Sequence, residues 1–284
     1  MVRMVRMVRL IRMARMRFRE RASRGSSQCC GLLRRGLLLA LGSGLLLSCA
    51  HSADELQKTE ALEGARGPVL ISQGLWVCRE RGEVVVDAQI AVREGWLEQL
   101  VCKAGTREHE SLLAVAVEPS LIHAALLLVG ARPGTPGSWR EEQDAGGSWR
   151  ISCISPSGSP VEVLVRVGGP AGEREERLCE WVRGAREKDG TMIEERFPCD
   201  RFVFAGSHVR ANPPSLGPGE HYVADYTGSI VGLVTFGDEM IAFREVIPDR
   251  IELAPATWAA NTARVPPEGS AVQLVFRVAA TQSQ

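Results

Sequence analysis

The sequence predicts an α+β fold: a predominantly antiparallel β-sheet, one buried helix at about residues 119–130 packed on it, and a few short additional helices. Short runs rich in β-branched residues, such as EVVVDAQIAV, VEVLVRV and AVQLVFRV, recur between Gly- and Pro-bearing turns. Alternation of apolar and polar residues in such runs is the mark of half-buried strands. Against them stands one segment, LIHAALLLVGA, that is apolar nearly all round and so belongs inside.

The elements follow in order from Leu75. GLWVC, EVVVDAQIAV and WLEQLVC, separated by Arg81-Gly82 and Glu94-Gly95, read as three antiparallel strands. In the second, Val84, Val86, Ala88 and Ile90 share one face. HESLLAVAV is a further strand. Pro119 suits the first turn of the helix, Ser120 offers a cap, and Gly130 supplies the left-handed stop. Ala131 to Gly147 reads as a loop, and WRISCI and VEVLVRV as a hairpin around PSGSP. Leu178, Trp181 and Val182 would form the apolar face of an exposed helix within Glu173 to Asp189. DRFVFAG, HYVADY, SIVGLVTFG and AVQLVFRVA return to strand, while ANPPSLGPGE is too rich in Pro, Asn and Gly for regular structure.

Ahead of this body lies a different kind of chain. Eleven arginines between Arg3 and Arg35 face a single acid, Glu20, before the apolar run Gly36 to Leu47. A spanning helix needs about 20 apolar residues, so twelve suit a secretory signal instead. Leu46, Leu47, Ser48 and Cys49 resemble the lipobox of bacterial lipoproteins, which implies a diacylglycerol on Cys49 and a membrane partner. The expected organisation is a signal peptide over 1–48, a lipidated cysteine and polar tether over 49–68, and one β-rich domain over 69–280. The repeat MVRMVRMVRLIRMARMR reads as a start codon placed too far upstream rather than as a surface helix, and Arg34-Arg35 is a poor match to a twin-arginine signal. Ala50, in place of Asp, points to the outer membrane, facing the periplasm.

Removing the first 48 residues takes eleven of 34 basic and one of 34 acidic residues, leaving 23 against 33. A body about ten charges negative, with no basic cluster, excludes nucleic acid as a partner. Cys78, Cys102, Cys153, Cys179 and Cys199 remain after lipidation. Export favours pairing, and an odd count leaves at least one thiol free or paired elsewhere.

Three stretches together resemble the YdjY-domain family of bacterial envelope proteins. They are LVCKAGTREHESLL with PSLIHAALLLVGARPG, then FVFAGS with HYVADYTGSIVGLVTFGDE, and NTARVPPEGSAVQLVF, spanning Leu100 to Phe276. The resemblance implies an exported, often lipid-anchored single domain without an established activity. The chain departs from it near Arg201 and Phe202, where the family carries a tryptophan, and over Glu173 to Lys188.

TREHE, Thr106 to Glu110, is the densest set of chemistry-bearing side chains. If WLEQLVC and HESLLAV form a hairpin around KAGTRE, Cys102 faces His109 near its mouth. An imidazole beside a thiol can ligate a transition metal ion or depress the thiol pKa, with Glu108 or Glu110 completing either site. The competing reading has Cys102 buried or bridged to Cys78, with His109 and the glutamates bonding the loop. A metal site joining His109 to His123 is disfavoured, because strand and helix rises place them more than roughly 15 Å apart. His123 reads as a helix-start residue with a local partner, and Asp225, Asp238 and Glu239 as turn residues. No phosphate loop, nucleophile elbow, zinc-protease helix or dinucleotide fingerprint is present. The expectation is an exported, lipid-anchored envelope domain that binds a partner protein, a surface polymer or a small ligand. The alternative is a metal- or thiol-dependent enzyme or redox protein centred on Cys102 and His109.

Overall fold

The computed structural model describes residues 67–143, 146–168, 172–188, 191–254 and 256–278. The expected signal peptide, the expected lipidation site at Cys49 and nearly all of the expected tether lie outside the described residues.

The strands that build the main sheet are β1 (Val69–Ser72), β2 (Leu75–Cys78), β3 (Glu83–Ile90), β4 (Gln99–Lys103) and β5 (Ser111–Val115). Helix α1 (Pro119–Leu128) follows, then the hairpin strands β6 (Ser138–Gln143) and β7 (Trp149–Ile154). β8 (Val161–Val167) and β9 (Arg174–Arg177) return to the main sheet, and β10 (Val182–Lys188) and β11 (Thr191–Arg196) leave it. Next come β12 (Phe202–Phe204), β13 (Val209–Ala211), β14 (Glu220–Tyr222), the short helix α2 (Val223–Thr227), β15 (Ser229–Gly232), β16 (Ile241–Phe243), β17 (Trp258–Ala260) and β18 (Ala271–Val278).

The sheet runs β12-β16-β15-β4-β5-β3-β18-β8-β9, with β2 on the first half of β3 and β1 on β2. Its core face carries Val84, Val86, Ala88 and Ile90, as the alternation predicts. Val85, on the other face, is also buried, in a small cluster with Leu164, Val275 and the ring of Trp76. α1 packs on β2 and β3 with Ile122, Ala125 and Leu126 buried. Outside the hydrophobic interior, Glu83 is buried under Arg277 at 2.8 Å, Arg166 at 3.0 Å and Arg81 at 3.2 Å. Burial pushes its carboxyl up, but the bonds from Arg277 and Arg166 win and hold it below the ordinary carboxylate range.

The β-rich α+β class and the buried helix stand, but the sheet is mixed rather than predominantly antiparallel in its middle. β4 does not pair with β3. It lies parallel to β5 and antiparallel to β15, and β15 in turn is parallel to β16. Period-two alternation says which face a strand buries and nothing about its neighbour. Four further expectations are corrected. β7 pairs with β6, inside the predicted loop, while β8 joins β18 and β9, so WRISCI and VEVLVRV are not a hairpin. Glu173 to Asp189 is no helix: β9 leads into a 3₁₀ turn, Leu178–Trp181, and then β10. That turn buries Leu178 and Trp181 with the same i, i+3 spacing a helix would use. HYVADY is strand only through Tyr222, in β14; VADY begins α2. Ser120 does not cap α1; the Asp225 carboxylate, from α2, accepts the Ser120 N–H at 2.7 Å instead. Among the described cysteines, Cys179 and Cys199 form a disulfide, Cys78 and Cys102 are buried thiols, and Cys153 is an exposed one.

Candidate functional site

Two connections define the centre of the sheet. β4 and β5 start twelve residues apart, at Gln99 and Ser111, and so do β15 and β16, at Ser229 and Ile241. Each pair is parallel, yet seven residues (104–110) and eight (233–240) make the return, against the dozen or more usual for a parallel crossover. Loops this short must run tightly over the strands, and their backbone groups need partners close at hand.

In the first crossover the Glu108 carboxylate accepts the Gly105 N–H at 2.9 Å, the Thr106 hydroxyl donates to the Lys103 carbonyl, and the Ser111 hydroxyl donates to the Arg107 carbonyl at 2.7 Å. The Cys102 thiol lies fully buried beneath, where burial pushes its pKa up against bonds with Ser111, Arg107 and Thr106. Gly228, with φ +77°, makes this fit possible: a Cβ there would stand 2.1 Å from the Thr106 hydroxyl. In the second crossover the Glu239 carboxylate accepts the N–H groups of Phe236 and Gly237, and its chain lies over Gly232, whose Cβ would meet the Glu239 Cγ at 2.5 Å. Burial pushes the Glu239 carboxyl up to about 7, and Asp238 adds to the shift. The loops meet where the Arg107 guanidinium stacks 3.9 Å from the Phe236 ring centre.

Glu98 joins the two. Its N–H donates to the Glu110 carbonyl at 3.1 Å, and its carbonyl accepts from Leu233 and Val234. Its carboxyl shares a hydrogen bond with that of Glu110. Burial, the Glu110 charge and that bond push Glu98 up to about 7, with Arg107 opposing and Asp249 reinforcing. A carboxyl raised this far is partly protonated near neutrality.

The predicted thiol and imidazole pair is not brought together. The parallel register sets Cys102 beside Ala114, five residues beyond His109, and the His109 ring stands 78 % exposed, 3.6 Å from Glu110. The hairpin that would have made them face each other is replaced by the crossover. Glu108 and Glu110 hold the loop and the acid pair. A raised thiol pKa is also the reverse of what a nucleophile needs. Among the described residues, no three His, Cys, Asp or Glu side chains gather to hold a metal ion.

A second polar centre was foreseen only through His123. Its Nδ1 lies 2.9 Å from the Tyr222 hydroxyl, which donates to the Gly206 carbonyl at 3.0 Å. Burial pushes His123 down to about 4, so the ring is neutral and braces α1 against β14. Ser207 beside it, at φ 50°, is the one non-glycine in the left-handed region among the described residues.

Chemistry unclaimed by the fold lies instead beside the disulfide. The segment 245–248, which leads to Asp249, forms with Arg196, Arg201 and Trp258 an open cleft of about 340 Å³. A neighbouring hollow of similar volume shares Arg196 and Pro198 and includes Cys199. Behind it the rings of Phe197, Phe202, Phe243 and Trp258 pack against one another, Phe197 and Trp258 edge to face at 4.6 Å. No sequence motif marked this cleft, because its walls come from β11, the turn after it and two distant loops.

A family model described as the YdjY domain matches residues 75–277. Comparisons with curated proteins and with solved structures find no match.

Proposed function

The chain belongs to the YdjY-domain family, and from that premise we propose that it is an exported envelope protein, lipid-anchored at Cys49, whose folded body is a binding domain. The observation that carries the binding reading is the open cleft walled by Arg196, Arg201 and Trp258, where charged and aromatic groups line an accessible hollow. The family's most distinctive stretches, by contrast, fasten the two crossovers to the sheet. Export is supported by the lipobox-like Leu46 to Cys49 and by the Cys179–Cys199 disulfide, since such bonds persist outside the reducing cytosol. A diacylated or triacylated cysteine holds a protein firmly on a bilayer, at about 0.8 kcal/mol per buried methylene.

A photo-crosslinking residue placed at Glu245, in cells of the native host, tests the binding role. A discrete adduct is expected, absent when the same residue is placed at the exposed Asp87 in β3, which lines neither hollow. Equal labelling from both positions, or none from either, defeats the reading. Mass spectrometry of the membrane-extracted protein is expected to find an acylated Cys49 as its N-terminus; an unprocessed chain removes the anchor.

A further inference from the structure

We propose that the cleft beside the disulfide takes an organic anion with an apolar body, its anionic group held by Arg196 and the indole N–H of Trp258 and its body lying along Val246, Ile247 and Pro248. This deepens the binding role and rests on it.

Three features of the cleft point to that chemistry. Arg196 is exposed and makes no ion pair among the described residues, whereas Arg177 and Arg201 along the same wall are matched to Glu162 at 3.1 Å and Glu245 at 3.7 Å. The second feature is Trp258. Its ring lines the cleft and is 93 % buried by its 7 % exposure, yet its indole N–H is buried with no acceptor. Leaving such a donor unpaired costs about 1–3 kcal/mol, which an incoming oxygen would remove. Third, Val246, Ile247, Pro248 and Ala254 add aliphatic side chains to a lining whose one carboxylate, Glu245, is paired with Arg201. Among the described residues, an unpaired arginine and an unpaired donor beside these aliphatic side chains match a single anionic head on a short hydrocarbon body. A neutral sugar would leave Arg196 unmatched, and a long polyanion would be repelled by the surrounding carboxylates. The disulfide through Cys199 holds the wall that presents Arg196, so the site is rigid before a ligand arrives.

The test uses the full chain carrying Cys49→Ser, so that no lipid of its own competes, titrated with octanoate, octyl phosphate and 1-octanol. Calorimetry measures affinity, and the Trp258 indole resonance in ¹⁵N NMR reports the site. Saturable binding of an anion is expected, with a downfield shift of that resonance. Arg196→Gln should weaken it about tenfold, the value of a lost charge-assisted bond. Trp258→Phe, which keeps an aromatic ring, should weaken it a few-fold. Preference for octanoate or for octyl phosphate distinguishes a carboxylate ligand from a phosphate one. Octanol binding as tightly as the anions, anion binding unmoved by Arg196→Gln, or no binding at all overturns the proposal. The crosslinking test at Glu245 is independent of these outcomes: an adduct there with no anion bound would keep the binding role and remove only its ligand class.

Discussion

Residues 104–110 and 233–240 make the same connection, a short return between parallel strands, and both fasten it with glutamates that accept loop N–H groups. They differ in what happens to the carboxyl left over. Glu239 is 1 % exposed and folded over Gly232, so its raised pKa is a property of the core. Glu98 is only partly covered, so its raised carboxyl is open to solvent, with Glu110 and Asp249 raising it and Arg107 opposing. The same shift to about 7 therefore means stability in one loop and an accessible proton in the other. A perturbed pKa alone does not identify a functional group.

The largest effect should come from the packing that permits the first crossover. Gly228→Ala adds a Cβ 2.1 Å from the Thr106 hydroxyl at a left-handed backbone position. Overpacking costs about 1–3 kcal/mol and the backbone about 1–2, so a loss of about 4 kcal/mol is expected in urea unfolding. Gly105→Ala, at φ +79° with open space around the added methyl, should cost only the backbone share, about 1 kcal/mol. Equal losses would mean that the loop does not rest on Gly228.

Next in size is the pH dependence of the second crossover. Glu239 has its ordinary pKa near 4.5 when unfolded and about 7 when folded. The folded state therefore binds the proton more tightly. Its contribution is complete below about pH 4.5 and is lost as pH rises through 7, by about 3 kcal/mol at 1.4 kcal/mol per unit. Glu239→Gln keeps an acceptor for Phe236 and Gly237 and cannot ionise. Its stability should track the parent at pH 5, apart from about 1 kcal/mol for the altered bonding, and exceed it at pH 9. Parallel curves for variant and parent across that range would show that Glu239 carries no shifted proton.

Much of the fold was legible before any of this geometry. The buried helix announced itself by apolar residues on every side, and β3, β8 and β18 by alternation or β-branching. What could not be read was adjacency. Short connections usually mean hairpins, so WLEQLVC was joined to HESLLAV as one, and the Cys102–His109 pair depended on it. The true partner of β4, β15, lies some 130 residues later, as the Gln99 to Ser229 bond shows. Nothing in the sequence singled out Glu98, because Glu110, Leu233 and Val234 converge on it only after folding. Asp225 passed as a turn residue because the helix end it caps belongs to another element. Sequence neighbours explain the glutamates that hold their own loops; they cannot explain Trp258 and Arg196, which sit 62 positions apart and share one wall.

The smallest effect distinguishes the roles of the two sides of the contact between the crossovers. Arg107 stacks on Phe236 and lies 3.8 Å from Glu110, so it both ties the loops together and opposes the rise of the Glu98 pKa. Arg107→Gln removes both actions. Stability should fall by about 1 kcal/mol, and the Glu98 carboxyl should titrate above its parent value, followed by NMR of the glutamate carboxyl carbons. Phe236→Leu keeps the cation and loses only the ring. It should cost a similar fraction of stability while leaving the titration in place, because a quadrupole holds the guanidinium but supplies no charge to the acid pair. If the leucine variant moves the titration as far as the glutamine variant does, the ring is what positions Arg107 against Glu110, and the two crossovers are electrostatically one unit rather than two fastened loops in contact.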